Sequence, residues 1–222
     1  MNPELIYKDY NTKFSDTTAI LEAIVSDNHT HARWLNVLSY LEYIGSRKIF
    51  KTQKQDIMNE AILRHASDEA RHALILKQLI EKLNIDEFES YETSNLLFGF
   101  SGFRYFQSLD SMVKKEITKD GRSKTETAYL CYVYVSLIIE IRANWLYDLY
   151  SKVLKKFNSP VSVSSIINDE VRHLADTLQE IEKIDTNQSN RINQFVKQES
   201  DYFYRFYESL RDNILLPASS NT

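Results

Sequence analysis

Two pentapeptides in this chain read Asp-Glu-x-Arg-His. One spans Asp68 to His72, within SDEARHALILKQ, and the other Asp169 to His173, within NDEVRHLADTLQ, 101 residues later. On a helix, residues i and i+3 share a face, so Glu69 with His72 and Glu170 with His173 each aim a carboxylate oxygen and an imidazole nitrogen at one point. Each pair is half of a metal site. A lone Glu-x-x-His carries little weight, because this composition yields roughly 0.4 copies by chance, whereas roughly 0.001 copies of the longer pattern are expected. Two copies therefore call for a shared chemical reason.

Two Glu and two His cannot neutralise and coordinate a pair of divalent ions, so further acids are needed. Glu42 sits in SYLEYIG and Glu140 in VSLIIEIRA, apolar settings in which a lone ionised carboxylate is costly to desolvate. Glu42 precedes Glu69 by 27 residues and Glu140 precedes Glu170 by 30. Each interval fits a helix, a turn and an antiparallel return. The two halves thus repeat as Glu, then Glu-x-x-His, a set in which two helices give one Glu each and two give Glu-x-x-His. Taken singly, Glu42 is an ordinary helix acid, and its neighbours and spacing raise it. His65, four residues before Glu69, shares the ligand face and reads as a packed or supporting histidine, since the set of six is complete without it. His29 and His31 read as exposed. Tyr129, Tyr132, Tyr134, Tyr147 and Tyr150 read as packing residues with satisfied hydroxyls.

Helices must position these groups. Apolar periodicity predicts one from about 27 to 50, a second from Ile57 to Leu83, a third from about 126 to 156 and a fourth from about 162 to 184. The stretch from Asn84 to Thr125 holds three of the four glycines and reads as a connection with one shorter helix near 108–117. A final amphipathic stretch over 187–214, with aromatic residues from Tyr202 to Tyr207 as core cover or a dimer face, and a leading segment over 1–26 flank the centre. The expected class is all-α, one helical domain over 1–222 with its bundle at about 27–184. Four glycines and three prolines in 222 residues are too few turn formers for a many-stranded sheet.

Composition narrows the partners. A net charge of −4 without a basic block argues against nucleic acid. A single cysteine, Cys131, excludes an internal disulfide and any CxxC centre and fits a reducing cytoplasm. The start MNPELIYKDYNTKF lacks a basic-then-apolar signal pattern, and the longest apolar run, Ala128 to Ile139, is too short for a bilayer, so no membrane is expected.

From Glu42 to His173 the chain resembles the ferritin-like di-iron carboxylate superfamily, especially its oxygen-activating branch, which includes the bacterial multicomponent monooxygenase hydroxylases. The resemblance implies a four-helix bundle in which Glu42 and His72 hold one iron, Glu140 and His173 hold the other, and Glu69 and Glu170 bridge them. It pairs Asp68 with His173 and Asp169 with His72, tied together by Arg71 and Arg172. A ligating imidazole needs an acceptor on its second nitrogen, which is the physical reason for such aspartates. Four carboxylates and two imidazoles suit two Fe ions, with Mn or mixed Mn/Fe as variants, and suit copper poorly. Asn144 stands four residues after Glu140, where the resembled monooxygenases carry a threonine near the oxygen site, and is the expected proton-delivery residue. Within the superfamily, Leu76 stands where a ribonucleotide reductase subunit places its radical tyrosine, and the four-cysteine centre of a rubrerythrin is missing. The expected activity is O2-dependent oxidation of a small organic substrate, with a separate electron-donor protein or reductant and a homodimer as the possible assembly. An iron-handling or peroxide-scavenging ferritin-like protein is the alternative.

Overall fold

The computed structural model describes residues 11–53 and 58–216. Residues 1–10 of the expected leading segment, and the expected helix start at Ile57, lie outside them. The described residues form seven α-helices and three short 3-10 turns, with no strand. The helices are α1 (Thr17–Ser26), α2 (Asn28–Thr52), α3 (Glu60–Glu81), α4 (Gly99–Ile117), α5 (Lys124–Lys156), α6 (Ser164–Ile184) and α7 (Gln188–Ile214). None is long and apolar enough to cross a membrane.

Local sequence sets the starts of the site-bearing helices. The Asp27 carboxylate accepts from the Thr30 amide at α2, and the Asn59 side chain accepts from the Ile62 amide at α3. At α5, Ser123 and Glu126 each accept from the other's backbone amide, a reciprocal cap that satisfies two otherwise orphan donors. α2 and α3 form one tightly packed antiparallel pair. Ser39 Oγ donates to the Ala73 carbonyl and Ser46 Oγ to the Ala66 carbonyl, both at 2.7 Å, so seven steps up α2 match seven steps down α3. α5 and α6 form the second close pair. The two pairs meet along α3 and α6, with α1, α4 and α7 packed around them.

Apolar burial holds this arrangement from two sides. One cluster gathers Trp34, Leu35, Leu76, Tyr150, Ile166 and Phe206. The other, around Leu109, Tyr134, Leu137 and Phe195, joins α4, α5, α6 and α7. Full burial of each such side chain contributes roughly 1.5–3 kcal/mol. The aromatic stretch 202–207 buries Phe203, Phe206 and Tyr207 within the chain, so it serves as core cover. Arg142, 3% exposed, pairs with the fully buried Glu199 at 2.8 Å and so ties α5 to α7. Its guanidinium lies 4.5 Å from the Phe203 ring centre and 5.0 Å from Trp145, faces that favour a desolvated cation.

Two expectations change. α4 begins at Gly99, nine residues before the expected start, despite containing Gly99 and Gly102. A Cβ at Gly99 would lie 2.5 Å from Leu96, so the glycine there makes a tight chain entry and marks no break. His31 is 1% exposed, not solvent-facing, and bonds through Nε2 to the buried Tyr150 hydroxyl, while His29 is exposed as expected.

Candidate metal centre

α2, α3, α5 and α6 direct a dense polar group into an otherwise apolar interior. One oxygen or nitrogen from each of Glu42, Glu69, His72 and Glu170 lies within 4.8 Å of the others, and the same holds for His65, Glu69 and His173. Glu69 belongs to both groups. Glu140 lies beside the second, with Oε1 3.4 Å from His65 Nε2. All six residues expected as ligands are therefore brought together, with His65 added.

The outward side of the cluster is a crossed network. His173 Nε2 faces Asp68 Oδ2 at 3.0 Å, and His72 Nε2 faces Asp169 Oδ2 at 3.3 Å. Arg71 donates to Asp68 and Asp169 at 2.7 Å each, and Arg172 reaches Asp68 at 2.7 Å and Asp169 at 3.0 Å. Burial opposes ionisation of Asp68, but hydrogen bonds from Arg71 and His173 hold its pKa down at about 2. With Nε2 anchored in this way, Nδ1 of each histidine turns inward.

Those inward atoms provide the test of whether a metal fits. His72 Nδ1, His173 Nδ1, Glu140 Oε1 and Glu170 Oε1 are buried and make no aligned hydrogen bond, although His72 Nδ1 lies 3.1 Å from Glu170 Oε1. Buried polar atoms are rarely left unpaired, so the convergence of these orphans points to a cation as their partner; without one, and against the effect of burial, the Glu170 carboxylate holds a proton on His72 and raises its pKa to about 9. Electrostatics agree. Burial first, then the charges of Glu69 and Glu170, push Glu42 well above the usual carboxylate range. Burial and the charge of Glu170 raise Glu69 to about 8, and burial with the same neighbour raises Glu140. Such carboxylates stay ionised at neutral pH only with added positive charge, which divalent ions supply. The donor set fits two ions of the iron or manganese type.

Neighbouring hydroxyls steady the acids. Tyr147 donates to Glu42 Oε1 at 2.8 Å, and Thr177 lies 3.4 Å from Glu140 Oε2. Asn144 differs from expectation. Its amide donates to the Glu140 backbone carbonyl at 2.9 Å, and it does not line the adjoining cavity. The fourth residue after Glu140 is thus turned back to its own helix, and Ala143 and Tyr147 face the cavity in its place.

Two spaces reach the centre from different directions. A cavity of about 110 Å³, walled by Leu41, Ile49, Phe106, Ile139 and Phe206, touches Glu42, Glu69, Glu140 and Glu170. Its lining is overwhelmingly apolar. Gly45 opens it, because a Cβ there would come within 3.3 Å of Glu69 Oε2. At its rim Lys48 pairs with Asp110. The second space, a polar cleft of about 460 Å³, is bordered by Tyr129, Arg172, His173 and Glu180. His65 and Tyr132 border both. Ser39 and Ser46 do not line the cavity, since they clamp α2 to α3, whereas Ser136 does.

Comparison with known proteins adds no further assignment: no family model, curated protein or solved structure matches the chain.

Proposed function

We propose that this chain is a ferritin-like dinuclear oxidoreductase that uses O2 to oxidise a small organic molecule held in the apolar cavity. The observation that supports this reading most is the position of that cavity directly against four convergent carboxylates, of which Glu69, Glu140 and Glu170 are buried. Glu42 and His72 would hold one ion, Glu140 and His173 the other, with Glu69 and Glu170 shared. When bound, a pair of iron or manganese ions supplies redox change and O2 activation.

The remaining steps belong to the chain's own residues. The apolar walls desolvate and confine a substrate beside the carboxylates, which favours an uncharged body over a charged one. Gly45 leaves the face of Glu69 accessible. Tyr147, which lines the cavity, donates its hydroxyl proton to Glu42 Oε1 and so holds a proton beside that carboxylate. The Asp68, Arg71, Asp169 and Arg172 network fixes both imidazoles in angle and tautomer. With a single cysteine and no CxxC pair, electrons must arrive from a separate donor.

The polar cleft that reaches His65 and His173 favours a second reading, in which ions or peroxide enter from that side. One experiment separates the two. Protein loaded anaerobically with Fe(II) and then exposed to O2 should react once, stop at about two ferric ions per chain, and resume only with a reductant. Unlimited uptake of Fe(II) would replace the oxidoreductase reading with iron handling, and rapid reaction with hydrogen peroxide but not O2 would replace it with peroxide scavenging.

A further inference from the structure

The repeat that builds the centre is not exact, and one of its departures concerns an imidazole on the ligand face. Shifting each residue of the first motif by 101 positions gives its partner in the second: Asp68 maps onto Asp169, Glu69 onto Glu170 and His72 onto His173. His65 maps onto Ile166, which is fully buried in an apolar cluster. Only one half of the molecule carries a histidine here.

The position of His65 is specific. It lies one turn before Glu69 on the same face of α3 and is 8% exposed. Its Nε2 hydrogen-bonds with Glu69 Oε1 at 3.0 Å and lies 3.4 Å from Glu140 Oε1, and its ring centre lies 4.6 Å from that of His173. Its other nitrogen, Nδ1, is 2.8 Å from the Tyr132 hydroxyl. This repeats, with a phenol in place of a carboxylate, the anchoring that Asp169 gives His72 and Asp68 gives His173. An imidazole fixed through one nitrogen and aimed by the other at two carboxylates is prepared to bind a cation.

We propose that His65 is a third imidazole ligand, so that the two metal positions are unequal. One has Glu42 and His72, and the other has Glu140, His173 and His65, with Glu69 and Glu170 between them. The second position is richer in nitrogen and accordingly softer. Tyr132 acts as a positioning residue for His65. This inference rests on the dinuclear reading above and extends it.

The test compares wild type with His65→Ala by metal analysis, chelator competition and imidazole rescue, using Fe(II) and Mn(II) without substrate. Wild type should hold two ions. The variant should keep one with near wild-type affinity and bind the other more than about 100-fold more weakly, beyond the roughly 10 to 100-fold effect of losing an outer hydrogen-bond partner. Added imidazole should restore the second ion. Tyr132→Phe should weaken that same ion by roughly 10-fold or more while both remain bound at saturation. If two ions remain in His65→Ala with affinities within 10-fold of wild type, or both weaken equally, His65 is no ligand and the dinuclear reading stands. Wild type that binds no divalent ion removes both proposals. Should His65→Ala fail to fold, electron spin echo measurements on Mn(II)-loaded wild type with 15N-labelled histidine decide. Nitrogen coupling from three imidazoles supports the assignment, and coupling from two overturns it.

Discussion

Asp68 on α3 and His173 on α6, 105 residues apart in sequence, meet at 3.0 Å across the boundary between the two helix pairs. The reciprocal contact of Asp169 with His72 makes the link two-sided. Each half of the chain therefore orients the other half's imidazole. Asp68→Ala and Asp169→Ala should weaken metal affinity by roughly 10 to 100-fold, as loss of an outer partner does. Each should act on the ion held by the opposite repeat's histidine. Chelator competition with both variants checks this, and unchanged affinity in either would show that its contact does not orient a ligand.

A second prediction concerns space at the centre. Gly45→Leu should leave two metal ions bound but block the cavity beside Glu69, where even a methyl carbon would stand 3.3 Å from Oε2. Binding of a small uncharged probe such as toluene, followed by NMR, should drop by more than about 10-fold, because a leucine side chain would fill the space the probe needs. Equal binding by wild type and variant would place the substrate elsewhere.

His31 supplies a pH dependence remote from the metal centre. Burial lowers its pKa to about 4 from an ordinary 6.5. The unfolded chain then binds the proton more readily than the folded one, so stability is complete above about 6.5 and declines as pH falls toward about 4. His31→Phe should flatten this component in denaturant titrations across that interval, whatever its effect at pH 7. A wild-type-like slope in the variant would assign the acid sensitivity to other groups.

The Arg142–Glu199 pair predicts an asymmetry between single and double substitutions. Glu199→Leu leaves the guanidinium buried without its carboxylate and should destabilise by about 3–5 kcal/mol, whereas adding Arg142→Met should recover much of that loss. Urea unfolding of both variants gives the comparison. A double variant as unstable as the single one would mean that losses other than the unpaired charge dominate, among them the Tyr105 hydroxyl's bond to Glu199 and the packing of Arg142 against Phe203 and Trp145.

The centre was more legible in the sequence than the framework around it. Glu69, His72, Glu170 and His173 could be singled out because ligand chemistry demands particular residue types at helical spacing, and Glu42 and Glu140 because an acid in an apolar run is itself a signal. His65 carried the same spacing signal, at i−4 from Glu69, but a set of six did not call for it, and only its distances set it beside Glu69 and Glu140. Asn144 lies off the cavity for a local reason: an amide side chain in a helix can fold back onto the carbonyl four residues earlier, and composition does not reveal that choice. The early start of α4 was hidden by Gly99 and Gly102, whose small size meets packing needs set by Leu96, Leu41 and Phe206, residues distant from any local helix signal. The burial of His31 depends on Tyr150, 119 residues away.

The single histidine at position 65 also bears on how such a molecule can be assembled. Two identical helix hairpins related by a two-fold axis would reproduce the crossed Asp–His contacts, because each hairpin would hand its aspartate to the other. They would also carry the extra imidazole twice or not at all. Joining the halves in one chain removes that constraint, and two of the chain's departures from symmetry bear on the site: the 27- and 30-residue intervals to Glu69 and Glu170, and the pair His65 and Ile166. A split version cut between α4 and α5 would therefore be a heterodimer by necessity. Two copies of the second half would lack the third imidazole, and two copies of the first half would carry one too many.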